Sequence, residues 1–244
     1  MHFIGRLWIT QIHAVTKGWM TSYPKKILDM KRPLALAGFL LTACMATAQI
    51  VYEKNADIRK PGAFHGIDAS TGVPVVITPA EEEMVVVSCS DPSFAPRIVT
   101  RIEDGILRIY VDAWKAWQLP KNFTMKVYVG YKNLDFIEAT SGASVKGEMR
   151  GKQLKSKVAS GGIAVLNGQV EALEVTVNSG GQFKGYELVT LFMDAKSNSG
   201  GGIQATCQKE LNASASSGGF INYKGGAVVR TIDIGSGGNV KRID

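Results

Sequence analysis

The sequence predicts an all-β protein, a β-solenoid or parallel β-helix-like single domain with about 19 residues per repeat. The first observation behind this is spacing. Ser-Gly pairs recur at Ser141, Ser160, Ser179, Ser199, Ser217 and Ser236, at intervals of 19, 19, 20, 18 and 19 residues. A fixed period in this range marks stacked supersecondary units. The second is phase. Four residues after each Ser stand Val145, Ala164, Phe183, Ile203, Ile221 and Val240, all apolar. Six residues before the Ser stand Leu154, Leu173 and Leu211, with Leu134 and Leu191 displaced by one or two. The third is alternation: in Leu173-Glu174-Val175-Thr176-Val177 the apolar side chains fall on one face of a strand.

Each repeat therefore predicts two short strands with a Ser-Gly turn between them. The glycines supply backbone angles closed to other residues. A unit this short cannot bury its own apolar face, so stacking on its neighbours must do so. Glycine is concentrated accordingly, with 19 of its 27 occurrences between residues 142 and 238. The register of apolar residues excludes a flexible linker. Residues 50–140 are strand-rich but less regular. Val73–Ile77, Met84–Ser88, Ile106–Tyr110, Met125–Val129 and Leu134–Glu138 read as strands, and Gly72, Asp91-Pro92 and Asp104-Gly105 as turns. This part forms either wider early rungs or a sheet that caps the solenoid, with no linker before the repeats. Lys241 and Arg242 guard the C-terminal edge against end-to-end pairing.

The front of the chain reads as an export signal. Residues 1–29 are taken as a start-site artefact or leader, residues 30–48 as a signal peptide and residues 50–244 as the folded domain. Lys31-Arg32 precede an apolar run from Leu34 to Leu41, and Ala46-Thr47-Ala48 offers small residues for cleavage between Ala48 and Gln49. The run is too short for a transmembrane span. A rival reading takes Leu41-Thr42-Ala43-Cys44 as a lipobox, with Cys44 carrying a lipid anchor. Both export the chain to the periplasm, the outer membrane surface or the extracellular space. Beyond residue 48 there remain 22 Lys/Arg and 20 Asp/Glu, so the basic footprint of a nucleic-acid partner is missing. Cys89 and Cys207 either pair in an oxidising compartment or stay as two buried free thiols, the second being the default.

Catalytic chemistry finds little support. A carboxylate site on a solenoid would place acids at equivalent repeat positions, and Glu148, Glu171, Asp194, Glu210 and Asp233 do not line up relative to their Ser residues. His65 is the one histidine after residue 48, and no Gly-X-Ser-X-Gly elbow is present. Cys89, Cys207 and His65 are too few for zinc. No catalytic residue, cofactor or metal is expected. The remaining clue is aromatic: Trp114, Trp117, Tyr131 and Tyr223 are candidate ligand contacts, with Trp114 and Trp117 alternatively plugging the solenoid. Lys146, Lys184, Gln204, Asn222 and Lys241 form an outward polar stripe, ordinarily a solvated face.

The run from Ala215 through Gly226 (Ala-Ser-Ser-Gly-Gly-Phe-Ile-Asn-Tyr-Lys-Gly-Gly) resembles the closing motif of the head GIN domain family of auto-transporter adhesins. Phe64 through Ile67, Gly72 and Val75-Val76-Ile77 resemble its first strands, and the Ser-Gly repeats its core. The resemblance spans residues 55–244 and rests on order and spacing. It implies a β-helix-like exported domain of a kind common in Bacteroidetes, with no established activity and no catalytic residues to carry over. The expected function is a non-enzymatic cell-envelope or surface module, an adhesin or ligand-contact domain making several shallow contacts along a rigid face. Surface glycan or envelope protein are the partners considered. The alternatives are a glycan-binding or glycan-processing accessory protein, and a structural envelope component that self-associates into a homo-oligomer.

Overall fold

The computed structural model describes residues 56–112 and 122–244. Fifteen strands occur among them. They are β1 (Asp57–Arg59), β2 (Gly66–Ala69), β3 (Pro74–Pro79), β4 (Met84–Cys89), β5 (Ile98–Glu103), β6 (Ile106–Val111), β7 (Met125–Tyr131) and β8 (Phe136–Ala139), then β9 (Ser144–Val158), β10 (Ile163–Val177), β11 (Gln182–Ser197), β12 (Gly202–Ala215), β13 (Phe220–Lys224), β14 (Val228–Ile234) and β15 (Asn239–Arg242). All belong to one hydrogen-bonded sheet that doubles over on itself. The front layer runs β1-β4-β7-β3, then the first halves of β9 to β12, then β13 and β15. The back layer runs β5-β6-β2-β8, then the second halves of β9 to β12, then β14.

The apolar ladder set by the Ser-Gly spacing is the spine of the core. Val127, Val75, Val145, Ala164, Phe183, Ile203, Ile221 and Val240 stand on successive front-layer rungs. In the back layer Leu154, Leu173, Met193, Leu211 and Val229 do the same. Met193, six residues before Ser199, occupies this rung rather than Leu191, because an irregularity between Thr190 and Phe192 breaks the alternation and leaves Leu191 only half-buried. Fully burying each large member of such a ladder contributes roughly 1.5–3 kcal/mol.

Ser141, Ser160, Ser179, Ser199 and Ser217 adopt φ near +50°, and the Gly after each has φ between 70° and 75°. Two successive positive φ values define a type I′ turn. Thr71-Gly72 makes the same turn one coil earlier, so β2 and β3 form a true rung of the solenoid. The turns are tied together: the N–H of Gly142, Gly161, Gly180 and Gly200 donates to the carbonyl of the next coil's Ser at 3.0–3.2 Å. Ser236 departs from this pattern, since only its Gly237 has positive φ.

The two strands expected per repeat are joined into one strand of 14–16 residues in β9 to β12. In β9 and β10 glycine makes the join. Gly147 and Gly168 bend the chain at positive φ, and a Cβ on either would lie 2.0–2.2 Å from a carbonyl oxygen of the preceding coil. At the N-terminal end the stacking turns antiparallel: β4 on β7, β1 on β4, and β5 on β6. A 3₁₀ turn, Pro92–Arg97, links β4 to β5 from one layer to the other, with Ala95 buried against the core. The irregular N-terminal part thus supplies both early rungs and a cap. The spacing had not marked β1, β5 or β14 as strands. At the opposite end, Ile232 and Ile234 occupy interior ladder positions of β14, yet they are 48% and 52% exposed, with no coil over them among the described residues.

Candidate functional site

The back layer carries a groove of about 650 Å³. Its position follows from residue size along the outward rows. Ile106, Gly66, Phe136, Lys155, Glu174 and Asp194 succeed one another rung by rung. Gly66 has no side chain, so Ile106 and Phe136 close over it; a Cβ there would meet Ile106 Cδ1 at 2.3 Å. One row over, the small Ala172 lies between Gln153 and Phe192, leaving a hollow beside the exposed Phe192 ring.

The polar groups of the groove are cross-linked between coils. Lys155 Nζ lies 2.7 Å from Glu174 Oε1, and Asn212 Nδ2 donates to Asp194 Oδ1 at 2.6 Å. His65 Nδ1 and Asp135 Oδ1 are 2.7 Å apart at the exposed rim. Deeper in, Arg108 pairs with Asp68 and lies 3.4 Å from Glu103. Glu138 shares the row with Asp68. Burial, aided by the negative charge of Asp68, pushes its pKa up, and Lys157 and Arg108 oppose that shift. Lys157 Nζ also lies 5.7 Å from the centre of the Phe136 ring. Phenyl faces interleaved with carboxylates, an amide and cations can hold a polar ligand with apolar faces, such as a sugar. No group of three or more metal-ligating side chains occurs among the described residues.

The expected ligand contacts fare unevenly. Tyr131 is not a surface contact: it is 1% exposed, and its hydroxyl donates to Glu148 O at 3.0 Å and accepts from Arg150 N at 3.1 Å. Tyr223 is likewise buried, at 7% exposure, because alternation in β13 turns it inward. Trp114, Trp117, Cys44, Ala48 and Gln49 lie outside the described residues, as do residues 1–29 and 30–48. His65 is half-exposed beside Asp135. Cys89 and Cys207 are both free and buried, in keeping with the default. Burial is the leading cause of the raised pKa of each thiol.

The groove itself escaped the sequence reading. Its walls come from His65, just before β2, and from β6 and β8 to β11, up to 129 residues apart in the chain. Phe192 faces outward as the neighbour of the inward Met193. Acids do meet across coils, Asp68 beside Glu138 and Glu174 beside Asp194; the last two each stand five residues before their Ser, so Asp194 lines up with Glu174 although not with Glu171.

The family described as "Putative auto-transporter adhesin, head GIN domain" matches residues 63–227. No curated protein matches the chain. A crystal structure of a "putative adhesin" from Bacteroides fragilis is similar at 19% identity, with TM-score 0.60 over 78% of this chain and 98% of that one. A "putative adhesin" from Parabacteroides merdae is similar at 15% identity, with TM-score 0.43 over 78% and 95% of the two chains. A "Putative lipid binding protein" from Parabacteroides distasonis is similar at 17% identity, with TM-score 0.43 over 79% and 98%. The Bacteroides fragilis structure shares the solenoid fold.

Proposed function

This chain belongs to the head GIN domain family, and on that premise we propose that it is an exported, non-enzymatic surface module of adhesin type that holds glycans in its back-layer groove. The observation that carries the proposal is the groove itself, where the Phe136 and Phe192 rings flank Gln153, Lys155, Glu174 and Asp194 on a rigid sheet. Two rings and several polar groups on one face give modest individual contacts, which repetition on a cell surface multiplies. The family's name and that of the Bacteroides fragilis structure support the adhesin character. Among the described residues no helix is long and apolar enough to cross a membrane.

The test is a glycan array probed with the native protein and with Phe136→Ala and Phe192→Ala. Losing one stacked ring costs about tenfold in affinity, with circular dichroism unchanged and no release of new reducing ends from the bound glycan. Unaltered binding by both variants removes the groove from the function. Export is tested separately by intact mass from fractionated cells. A chain starting at Gln49 supports release after Ala48, an acylated Cys44 supports a lipid anchor, and a retained Met1 or Met30 refutes export.

A second reading, self-association, is favoured by the open end at β14. Sedimentation that shifts with concentration, and is abolished by Ile232→Asp and Ile234→Asp, supports it. A strict monomer at all concentrations excludes it.

A further inference from the structure

The front layer differs from the back in charge. On the rungs from β9 to β15 its central outward row reads Lys146, Val165, Lys184, Gln204, Asn222 and Lys241. Among the described residues none of these three lysines has an ion-pair partner, whereas Lys155 in the back layer is neutralised by Glu174 and Arg230 by Glu210. Short Val165 between two lysines leaves a hollow of about 280 Å³, bounded by Lys146, Lys184 and Tyr186. Lys224 Nζ lies 5.1 Å from the centre of the Tyr186 ring and adds a fourth cation at the margin. Glu187 stands at the rim and leaves the surface cationic on balance.

From this arrangement we infer that the front layer binds an anionic polysaccharide, laid along the solenoid axis across the strands, with an acidic sugar residue seated in the hollow between Lys146 and Lys184. Rungs are spaced about 4.8 Å apart. Lys146 and Lys184 are two rungs apart, roughly 10 Å, and Lys241 is three rungs further, roughly 14 Å. A chain carrying an anion on each sugar meets several of these cations at once. Each exposed pair contributes little alone, and their sum gives the affinity.

A bilayer fits this face less well. The large exposed apolar side chains among the described residues are Ile58, Val189, Phe192, Val228, Ile232 and Ile234, and none lies on this row between β9 and β15. Ile163 and Val165 are half-buried, so the face offers charge without a wedge to enter lipid. This surface is separate from the back-layer groove, and its occupancy does not depend on glycan binding there.

The test measures binding of the full chain to immobilised sodium alginate, whose anions are carboxylates, and to dextran sulfate, whose anions are sulfates. Neutral dextran and vesicles of 30% phosphatidylglycerol in phosphatidylcholine serve as comparisons. Binding to one or both anionic polymers and not to dextran is expected, weakening as salt is raised, and the preferred polymer identifies the acidic group. Lys146→Gln with Lys184→Gln weakens binding about tenfold, whereas Lys146→Arg with Lys184→Arg retains it. The same charge removal in the back layer, Lys157→Gln with Lys196→Gln, changes binding less than about twofold. Phe136→Ala leaves polymer binding intact, which separates this surface from the groove. Failure to bind either polymer, equal loss in the two glutamine pairs, or tighter binding to vesicles than to polymers overturns the inference.

Discussion

Gly161 and Gly162 are neighbours in one Ser-Gly-Gly turn, and replacing each with Ala disturbs the coil by a different mechanism. A Cβ on Gly161 meets nothing within 4 Å, but its φ of +70° is left-handed. The expected cost is that of one L-residue in this region, about 1–2 kcal/mol. A Cβ on Gly162 would lie 2.1 Å from Ala139 O and 2.6 Å from Ala139 C, both on the preceding coil. Separating them to an ordinary contact requires a backbone shift of roughly 1 Å against a coil spacing of about 4.8 Å. Three inter-coil hydrogen bonds cross this seam: Gly142 N to Ser160 O at 3.1 Å, Ala159 N to Ala139 O at 3.0 Å and Ile163 N to Ala143 O at 2.9 Å. Each contributes about 1 kcal/mol net, so Gly162→Ala should cost about 3 kcal/mol. Urea unfolding followed by circular dichroism reads the difference as a shift in midpoint at constant slope. A Gly162→Ala protein no less stable than Gly161→Ala would refute the close-approach argument. Ala143 is a built-in comparison, because it holds the Gly162 position one coil earlier and is fully buried. There Ala143→Gly should destabilise, since it removes a packed methyl without relieving a clash.

Tyr131→Phe should lower stability by about 1–3 kcal/mol by leaving Glu148 O and Arg150 N without their partner, while glycan binding is unchanged; a neutral effect in urea unfolding would argue against the buried hydroxyl network. Cys89 and Cys207 should resist a thiol reagent in the native protein and react on unfolding, because both are buried. Their thiol pKa values are raised from 9.0, so the stability they contribute is complete below pH 9 and declines as pH rises beyond it. Alkaline denaturation should therefore begin at higher pH in Cys207→Val, which fills the space without an ionisable group, and an onset unchanged from the native protein would argue against the buried thiol. Glu138 has a pKa raised from 4.5, so it favours the folded state most below that pH and less as pH rises through its folded value. Glu138→Gln should flatten that part of the stability profile measured by thermal melts, and an unchanged profile would refute the assigned environment.

The repeats were legible because each turn needs two residues of positive φ followed by a close backbone approach, and Ser-Gly-Gly meets that need visibly. The apolar ladder was legible for the same reason, since its phase is locked to the turn. Val145, Ala164 and Phe183 pair as the spacing requires. Legibility failed where the period slips. In β11 the alternation breaks between Thr190 and Phe192, and Met193 rather than Leu191 holds the rung. Tyr131 and Tyr223 were misplaced although their parity carries them inward, Tyr131 two residues after Val129 and Tyr223 two after the ladder residue Ile221. The groove was invisible for a further reason: Gly66, Phe136 and Ala172 shape it through what adjacent coils lack, and adjacency between β2 and β8 leaps over some seventy residues. The Lys146–Lys184 stripe could be read in advance, whereas the hollow between them depended on the size of Val165.

The two ends of the stack are chemically unequal, and that gives folding a direction. At the N-terminal end, β5 and β6 form a short antiparallel hairpin closed by the Asp104-Gly105 turn, an element that can assemble from local contacts. Each later coil has its register set by the edge already laid down, so ordering proceeds most readily from the cap toward β14. A chain that emerges N-terminus first meets its own template before its repeats arrive. The exposed edge at any moment is then a single growing rung, which limits the time that unpaired strands are open to mispairing.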